Sequence, residues 1–474
     1  MNEIKIMKYT YSLCLIVLMA LIAFTACSED VNLWNSIDET PYLAANRIDG
    51  LLVDESTNKN SSVVEMNTDE YSTNLVFRLS KKPEKGVDVK ISFDEAYATT
   101  YNSIHNTDFE LFPTSNVKIY NDGEFVLAPD DQSASGIKVT LTAFEGMDEA
   151  KTYIVPFTAT SPTDGITFSE NSKHAVLLVK DYRKMADHDK GADIQTVIYF
   201  EVNDVNPLNA LEFKIASGKY FFDHVVLFAA NINWDAEKKR VYVSNNENVQ
   251  YLLDHNEEYL QPLRRAGMKV IISILGNHDE AGVAQLSDMG AKEFARELAA
   301  YCRGYKLDGV AFDDEYSGIP NLSNPWLAEK SAYAGSRLMY ECKAAMPEKI
   351  VSLYNLGSMY SYGLQIIDGV TPGLYCDYAV ADYGLSARPG IGMTLKQCGG
   401  MSIELYRWGG DSSEDCARNK KNEGYGYYMY FALDPLRYSS QIDRCQTSCK
   451  GLYEEELVYP THYYKKNDTK RLPL

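Results

Sequence analysis

The sequence predicts an α/β chain in which a (β/α)8 TIM-type barrel follows an all-β sandwich domain. Three observations predict it. Short apolar runs alternate with helical patterns through residues 193–474, a period-two pattern fills 45–182, and a polar stretch, 183–192, lies between them as a linker.

In chain order, Lys5 and Lys8 precede an apolar stretch from Leu13 to Ala26. It is shorter than the roughly 20 residues of a membrane-spanning helix, so 1–26 is expected to be a secretory signal. Residues 27–44 are polar, without an apolar repeat, and are expected to be a tether. The sandwich follows. Val87-Asp88-Val89-Lys90-Ile91-Ser92-Phe93 and Ile137-Lys138-Val139-Thr140-Leu141-Thr142 alternate strictly, as strands with one buried face do. With no helical run between such strands, an antiparallel sandwich is expected, in the role of a spacer or accessory binding domain.

Eight strand-like runs mark the barrel: 196–202, 224–230, 269–275, 309–313, 350–354, 378–381, 402–405 and 425–431. Ala291, Phe294, Leu298 and Tyr301 recur at helical spacing between the third and fourth runs. Leu252, Tyr259 and Leu263 do so before the third. The crossovers after the fifth and sixth runs carry no clear helical pattern. In such a barrel catalytic groups come from the C-terminal strand ends.

Composition narrows the partners. Of 474 residues, 45% are hydrophobic and 24% charged, a globular balance that disfavours disorder or a coiled-coil rod. The formal charge is −20, from 66 acidic and 46 basic residues, which argues against nucleic acid as a partner. The 35 tyrosines offer flat faces with hydroxyls that suit sugars, although most tyrosine packs in cores. Seven cysteines follow residue 300: Cys302, Cys342, Cys376, Cys398, Cys416, Cys445 and Cys449. An odd number leaves at least one unpaired, and buried or disulfide-bonded thiols are expected. Cys445 and Cys449 have no nearby His pair, so no metal site is expected.

The fourth run ends in acid: Leu307-Asp308-Gly309-Val310-Ala311-Phe312-Asp313-Asp314-Glu315-Tyr316. Side chains alternate along a strand, so Ala311, Asp313 and Glu315 share one face, and Val310 and Phe312 the other. Packing Val310 and Phe312 under helices puts Asp313 and Glu315 in the barrel mouth. Two carboxylates so close cannot both ionise cheaply, and one is expected to stay protonated as a proton donor. Asp314, of opposite parity, is expected to face solvent or cap a helix.

The pattern Asp308-Gly309…Asp313…Glu315 resembles the signature of glycoside hydrolase family 18, and the run 307–316 its endo-β-N-acetylglucosaminidases of the H and F1 type. So do Ser273-Ile274-Leu275-Gly276-Asn277-His278, Ser352-Leu353-Tyr354-Asn355-Leu356-Gly357 and Glu423-Gly424-Tyr425-Gly426-Tyr427, spread in order over barrel elements. The resemblance implies retaining, substrate-assisted hydrolysis of the bond between the two core GlcNAc units of N-linked glycans, without metal or cofactor. Glu315 would be acid and then base, and Asp313 would orient the substrate's acetamido group. The alternatives are a non-catalytic surface glycan-binding protein with the same barrel, and a chitinase. Two positions depart from the family pattern. Ala311 stands where another Asp is usual. In Ala381-Asp382-Tyr383 the Tyr matches, the amide expected at 381 is absent, and strand parity argues against Asp382 replacing it. Tyr383, Asn277, His278, Tyr354, Asn355, Trp234 and Trp408 are further candidates for sugar contacts. The front of the chain resembles the sandwich of Bacteroidetes surface lipoproteins. Phe24-Thr25-Ala26-Cys27 resembles a lipobox, and Ser28-Glu29-Asp30 an acidic export signal. The resemblance therefore implies a lipid on Cys27 and a surface-exposed place on a bacterial outer membrane.

Overall fold

The computed structural model describes residues 47–470 except 106, 134–135, 150, 408 and 437–438. The signal, the tether and Cys27 lie outside the described residues.

Residues 48–181 form two packed sheets. One orders its strands Ile166–Thr167, Ile48–Asp54, Glu70–Leu79, Ile137–Thr142 and Val117–Ile119. The other runs Ser61–Met66, His174–Asp181, Tyr153–Thr160, Val87–Phe93 and Glu124–Leu127, with Glu110–Leu111 beside Tyr153–Thr160. The alternating residues meet as expected: Val87, Val89, Ile91, Val139 and Leu141 all join the core between the sheets. Two features depart from the sequence expectation. Three strand pairs are parallel, among them Ser61–Met66 with His174–Asp181, and a helix, Glu95–His105, interrupts the strands. That helix is weakly patterned and buries only Ala98 and Tyr101 inside its span, too faint a stripe to read as helical periodicity.

Eight parallel strands build the second body: β1 (Gln195–Glu201), β2 (His224–Asp235), β3 (Lys269–Leu275), β4 (Gly309–Asp313), β5 (Ile350–Tyr354), β6 (Tyr378–Val380), β7 (Gly399–Glu404) and β8 (Tyr427–Phe431). They pair in sequence order, and β8 returns to β1. Closure is thinnest between β6 and β7, where a single parallel bridge, Ala379 to Cys398, joins the two. Helices α1 (Glu247–Asp254), α2 (Asp288–Gly304), α3 (Ala332–Ala345), α4 (Glu414–Glu423) and α5 (Ser440–Tyr453) cover the outside. The crossovers after β5 and β6 contain only short turns of helix, Gly357–Tyr362, Pro372–Tyr375 and Leu395–Gln397, as their lack of pattern predicts.

The alternation along β4 is realised. Val310 and Phe312 are fully buried in the layer between strands and helices, each worth roughly 1.5–3 kcal/mol of apolar burial. Ala311 faces the barrel interior with Tyr199 and Tyr354. Register places Ser273 of β3 and Ser352 of β5 on either side of Ala311, so three small residues stand side by side on β3, β4 and β5.

The motif residues Asp308 and Gly309 anchor the other end of the barrel. Asp308 accepts from Arg264 Nε at 3.0 Å and Nη2 at 3.2 Å, and from the Val270 amide at 2.9 Å. Burial pushes its carboxyl up, but Arg264, Lys269 and Lys180 more than offset this and hold it below the usual range. A Cβ on Gly309 would lie 2.2 Å from the Ile350 carbonyl oxygen, so β4 and β5 can approach there only with glycine.

The sandwich seats against this same end. Lys269, the first residue of β3, is bound to Glu65 and donates to Tyr182 Oη at 3.0 Å. Lys180 Nζ donates to the Glu348 carbonyl at 3.1 Å, and His105 Nδ1 lies 3.2 Å from the Ala344 carbonyl. The intervening polar segment is itself fastened down, through a buried ion pair of Lys190 with Asp223 and a bond from the Ala186 amide to the Arg265 carbonyl at 3.0 Å. The C-terminal strand ends at the opposite face stay open.

Candidate active site

Asp313 closes β4, and Glu315 follows two residues on at the barrel rim. Together they border a pocket walled by Tyr199 of β1, Phe228 of β2, Tyr354 of β5, Tyr383 after β6, and Met429 and Phe431 of β8. Neighbouring rings meet at angles: Phe228 and Phe431 edge to face at 5.4 Å, Tyr354 and Tyr383 tilted at 6.3 Å. The walls are apolar and rigid while the floor is acidic, the surroundings that hold protons on carboxyl groups.

Asp313 is 2% exposed, and its Oδ1 has no hydrogen-bond partner within the described structure. The carboxyl is hydrogen-bonded with Glu315. Burial, then the charges of Glu315 and Asp314, push the Asp313 carboxyl well above its usual range. The half-buried Glu315 is also raised, by burial first and by Asp382 next. The deeper carboxyl takes the larger push. The proton of the pair therefore rests on Asp313, within reach of Glu315.

Glu315 is placed by the backbone of two loops pressed together. The Gly276 amide donates to the Glu315 carbonyl at 3.1 Å and the His278 amide to the Tyr316 carbonyl at 2.5 Å. A Cβ on Gly276 would lie 2.3 Å from the Glu315 oxygen. Asp314 turns the other way. It is buried, accepts from the Ser358 amide at 2.9 Å and pairs with Lys330 at 3.2 Å, thus capping the short helix after β5 instead of facing water.

Asp382 enters the mouth as well. It accepts from Tyr354 Oη at 2.5 Å and from the Tyr383 amide at 2.7 Å, and its charge acts on Glu315. Strand parity does not govern it, because β6 ends at Val380 and the chain has begun to turn.

The other sequence candidates divide. Tyr354 and Tyr383 line the pocket. Asn277 and His278 are exposed on the rim. Asn277 donates to Asn233 Oδ1 at 3.1 Å, and the His278 ring lies 5.7 Å from that of Tyr316. Asn355 lines a separate cavity with Ala381, Ala387 and Arg388. Trp234 lies away from the pocket. Strand β2 runs on past the expected end at 230 into a hairpin with Arg240–Ser244, and Trp234 packs there against the outer core and Trp326, 6.5 Å away. Trp408 is outside the described residues. Tyr199, Phe228, Met429 and Phe431 were not singled out in the sequence. Their only signal was inward parity near strand ends, which core residues share.

The seven cysteines are all free thiols, six buried and Cys416 partly so. Among the described residues no group of His, Cys, Asp and Glu could hold a metal ion, and no helix is long and apolar enough to cross a membrane.

Comparison with known proteins places this geometry. The chain is 45% identical over 285 residues to endo-β-N-acetylglucosaminidase F1 of Elizabethkingia meningoseptica, covering 58% of this chain and 83% of that protein. The chain belongs to the endo-β-N-acetylglucosaminidase family. An endo-β-N-acetylglucosaminidase of a Flavobacterium strain is 34% identical over 267 residues, covering 56% of this chain and 82% of its own. Crystal structures of EndoBT-3987 from Bacteroides thetaiotamicron extend the match to the sandwich, covering 88% of this chain and 97% of theirs. The structure with Man5GlcNAc product has 47% identity and a TM-score of 0.84, and the one with Man9GlcNAc2Asn substrate 44% and 0.76. A family model described as "-like, N-terminal domain" matches residues 41–166.

Proposed function

We propose that this protein is an endo-β-N-acetylglucosaminidase that hydrolyses the GlcNAc-β1,4-GlcNAc bond in the core of N-linked glycans. The observation that carries the reading is the Asp313–Glu315 pair facing an aromatic pocket at the barrel mouth, in a glycoside hydrolase family whose relative EndoBT-3987 was crystallised with Man9GlcNAc2Asn.

The residues suit a reaction in which the substrate supplies the nucleophile. The acetamido N–H of the −1 GlcNAc donates to Asp313, whose Oδ1 is a buried acceptor without a partner. Asp313 then favours the ionised state and its proton passes to Glu315. Glu315 delivers that proton to the glycosidic oxygen. As the C1–O bond breaks, its electron pair stays on the leaving oxygen, and the acetamido carbonyl oxygen bonds to C1 to give an oxazolinium ion. Asp313 stabilises the positive charge on the acetamido nitrogen. Glu315, now a carboxylate, takes a proton from water. The water oxygen bonds to C1 from the face the leaving group vacated as the oxazolinium C1–O bond breaks and its electron pair returns to the acetamido oxygen, so configuration is retained. Tyr383 and Tyr354 border the −1 sugar and carry hydroxyls for its polar groups. Asn277 and His278 stand on the rim where outer sugars pass.

A glycopeptide with a single N-glycan tests the function. Mass spectrometry should show the peptide keeping one GlcNAc and the released glycan carrying the other. A peptide left with two GlcNAc units, or with none and an aspartate in place of asparagine, would overturn it.

The proposal extends to location: a lipid on Cys27 anchors the enzyme to the bacterial outer membrane, facing outward. The support is the run Phe24-Thr25-Ala26-Cys27 followed by Ser28-Glu29-Asp30. Radiolabelled palmitate should label the wild type and not Cys27→Ala, and equal labelling would refute the anchor.

A further inference from the structure

We infer that Arg407 is a positioning residue that holds the Tyr383 ring so that its hydroxyl meets the −1 sugar, an inference that rests on the function proposed above. The Arg407 guanidinium lies over the Tyr383 ring, 5.8 Å from its centroid, within the range of a cation–π contact. Tyr383 is a wall of the sugar pocket and Arg407 is not. The cation therefore works through the ring.

The Arg407 side chain is 69% exposed, and a long side chain in water loses entropy when it is held in one place. A buried carboxylate holds it. Glu404 ends β7 and is 1% exposed. Its neighbours Ile403 and Leu405 join the outer core, so by alternation Glu404 faces the barrel mouth. Its carboxylate accepts from the Arg407 amide and lies 3.5 Å from Arg407 Nε. Burying a carboxylate is costly unless it is paired, and Arg407 pairs this one.

The turn that carries Arg407 is fastened at both ends. The Glu404 amide donates to the Gly409 carbonyl at 3.0 Å. Arg444 of α5 reaches both residues, Nη1 donating to the Glu404 carbonyl at 2.9 Å and Nη2 to the Gly409 carbonyl at 3.1 Å. Gly409 in turn abuts Tyr383, for a Cβ there would lie 3.2 Å from the Tyr383 Cβ. The same turn thus meets Tyr383 at its root and over its ring. The Phe431 ring, 5.5 Å away, and Asp382, which accepts the Tyr383 amide at 2.7 Å, complete the frame.

The hydroxyl is the group this frame serves. Burial and then Glu404 push the Tyr383 hydroxyl up while Arg407 opposes them, and the net rise keeps it protonated as a donor. The acetamido group must meet C1 in a narrow geometry, and a ring free to swing would lose that alignment.

The test is a double-mutant cycle on a glycopeptide, with kcat and KM read separately and rates taken per molecule folded by circular dichroism. Cleavage by wild type establishes the function on its own, so a failed cycle would leave that reading standing. Arg407→Ala should lower kcat about fivefold and leave KM within about twofold. In a Tyr383→Phe background there is no hydroxyl to aim, and the same change should lower kcat by less than about twofold. An equal further loss in that background would show that Arg407 acts on the sugar itself, and would overturn the inference. A wild-type kcat in Arg407→Ala, or a loss confined to KM, would overturn it too.

Discussion

Tyr354 and Asp382 are joined by a hydrogen bond of 2.5 Å that ties the end of β5 to the turn after β6. The bond holds a third carboxylate where its charge reaches Glu315. The Tyr354 hydroxyl is correspondingly raised, by burial and then by Asp382. Asp382 thus acts through a neighbour: its charge raises the Glu315 carboxyl above the usual range.

Asp382→Asn should therefore move the pH profile. The negative charge of Asp382 disfavours ionised Glu315, so removing it lowers the carboxyl at which activity is lost on the alkaline side. The alkaline limb of kcat/KM should shift to lower pH, measured on a glycopeptide substrate. An unmoved limb would mean that Asp382 does not tune the acid.

Asp313→Asn should lose about 10²–10⁴-fold in turnover and yet gain stability. The folded protein holds the Asp313 proton more tightly than the unfolded chain does. Wild type therefore loses stability as pH rises above the unfolded carboxyl value of about 4. The amide has no proton to lose. Its melting temperature should exceed that of wild type at about pH 8, with the gap closing below about pH 4.

Gly276→Ala tests how Glu315 is positioned. The added methyl would meet the Glu315 carbonyl oxygen at 2.3 Å, so the two loops must part. Overpacking of this kind costs about 1–3 kcal/mol. Turnover should fall more steeply, on the order of 10²-fold, because displacing a catalytic group by about an ångström is enough to do so. Denaturant unfolding and kcat measured on the same preparation separate the two effects.

Asp308→Ala should do the reverse. It leaves Arg264 without its carboxylate in a buried site far from the mouth, a loss of about 3–5 kcal/mol. Activity per folded molecule should hold at temperatures where the variant remains folded, as circular dichroism and initial rates taken together would show.

Much of this arrangement was legible beforehand. Barrel strands buried on both faces read as continuous apolar runs, and all eight fall within a few residues of their predicted places. The parity that set Val310 and Phe312 against Asp313 was enough to place the acids. Parity failed at Asp382, where the strand stops one residue early and the chain rotates. It was also silent for Tyr199 and Phe431, because an inward aromatic at a strand end looks the same whether it packs a core or faces a sugar. The parallel pairs of the sandwich were hidden because alternation reports which face is buried and not the direction of the neighbouring strand.

The most direct test of the account is the cleavage rate of a purified glycopeptide by Glu315→Gln beside wild type, with glycan binding measured on the same preparations. The account predicts that glutamine binds the glycan with similar affinity and cleaves it at least about 10³-fold more slowly. Turnover within a few fold of wild type would show that the proton comes from another group, and would contradict it.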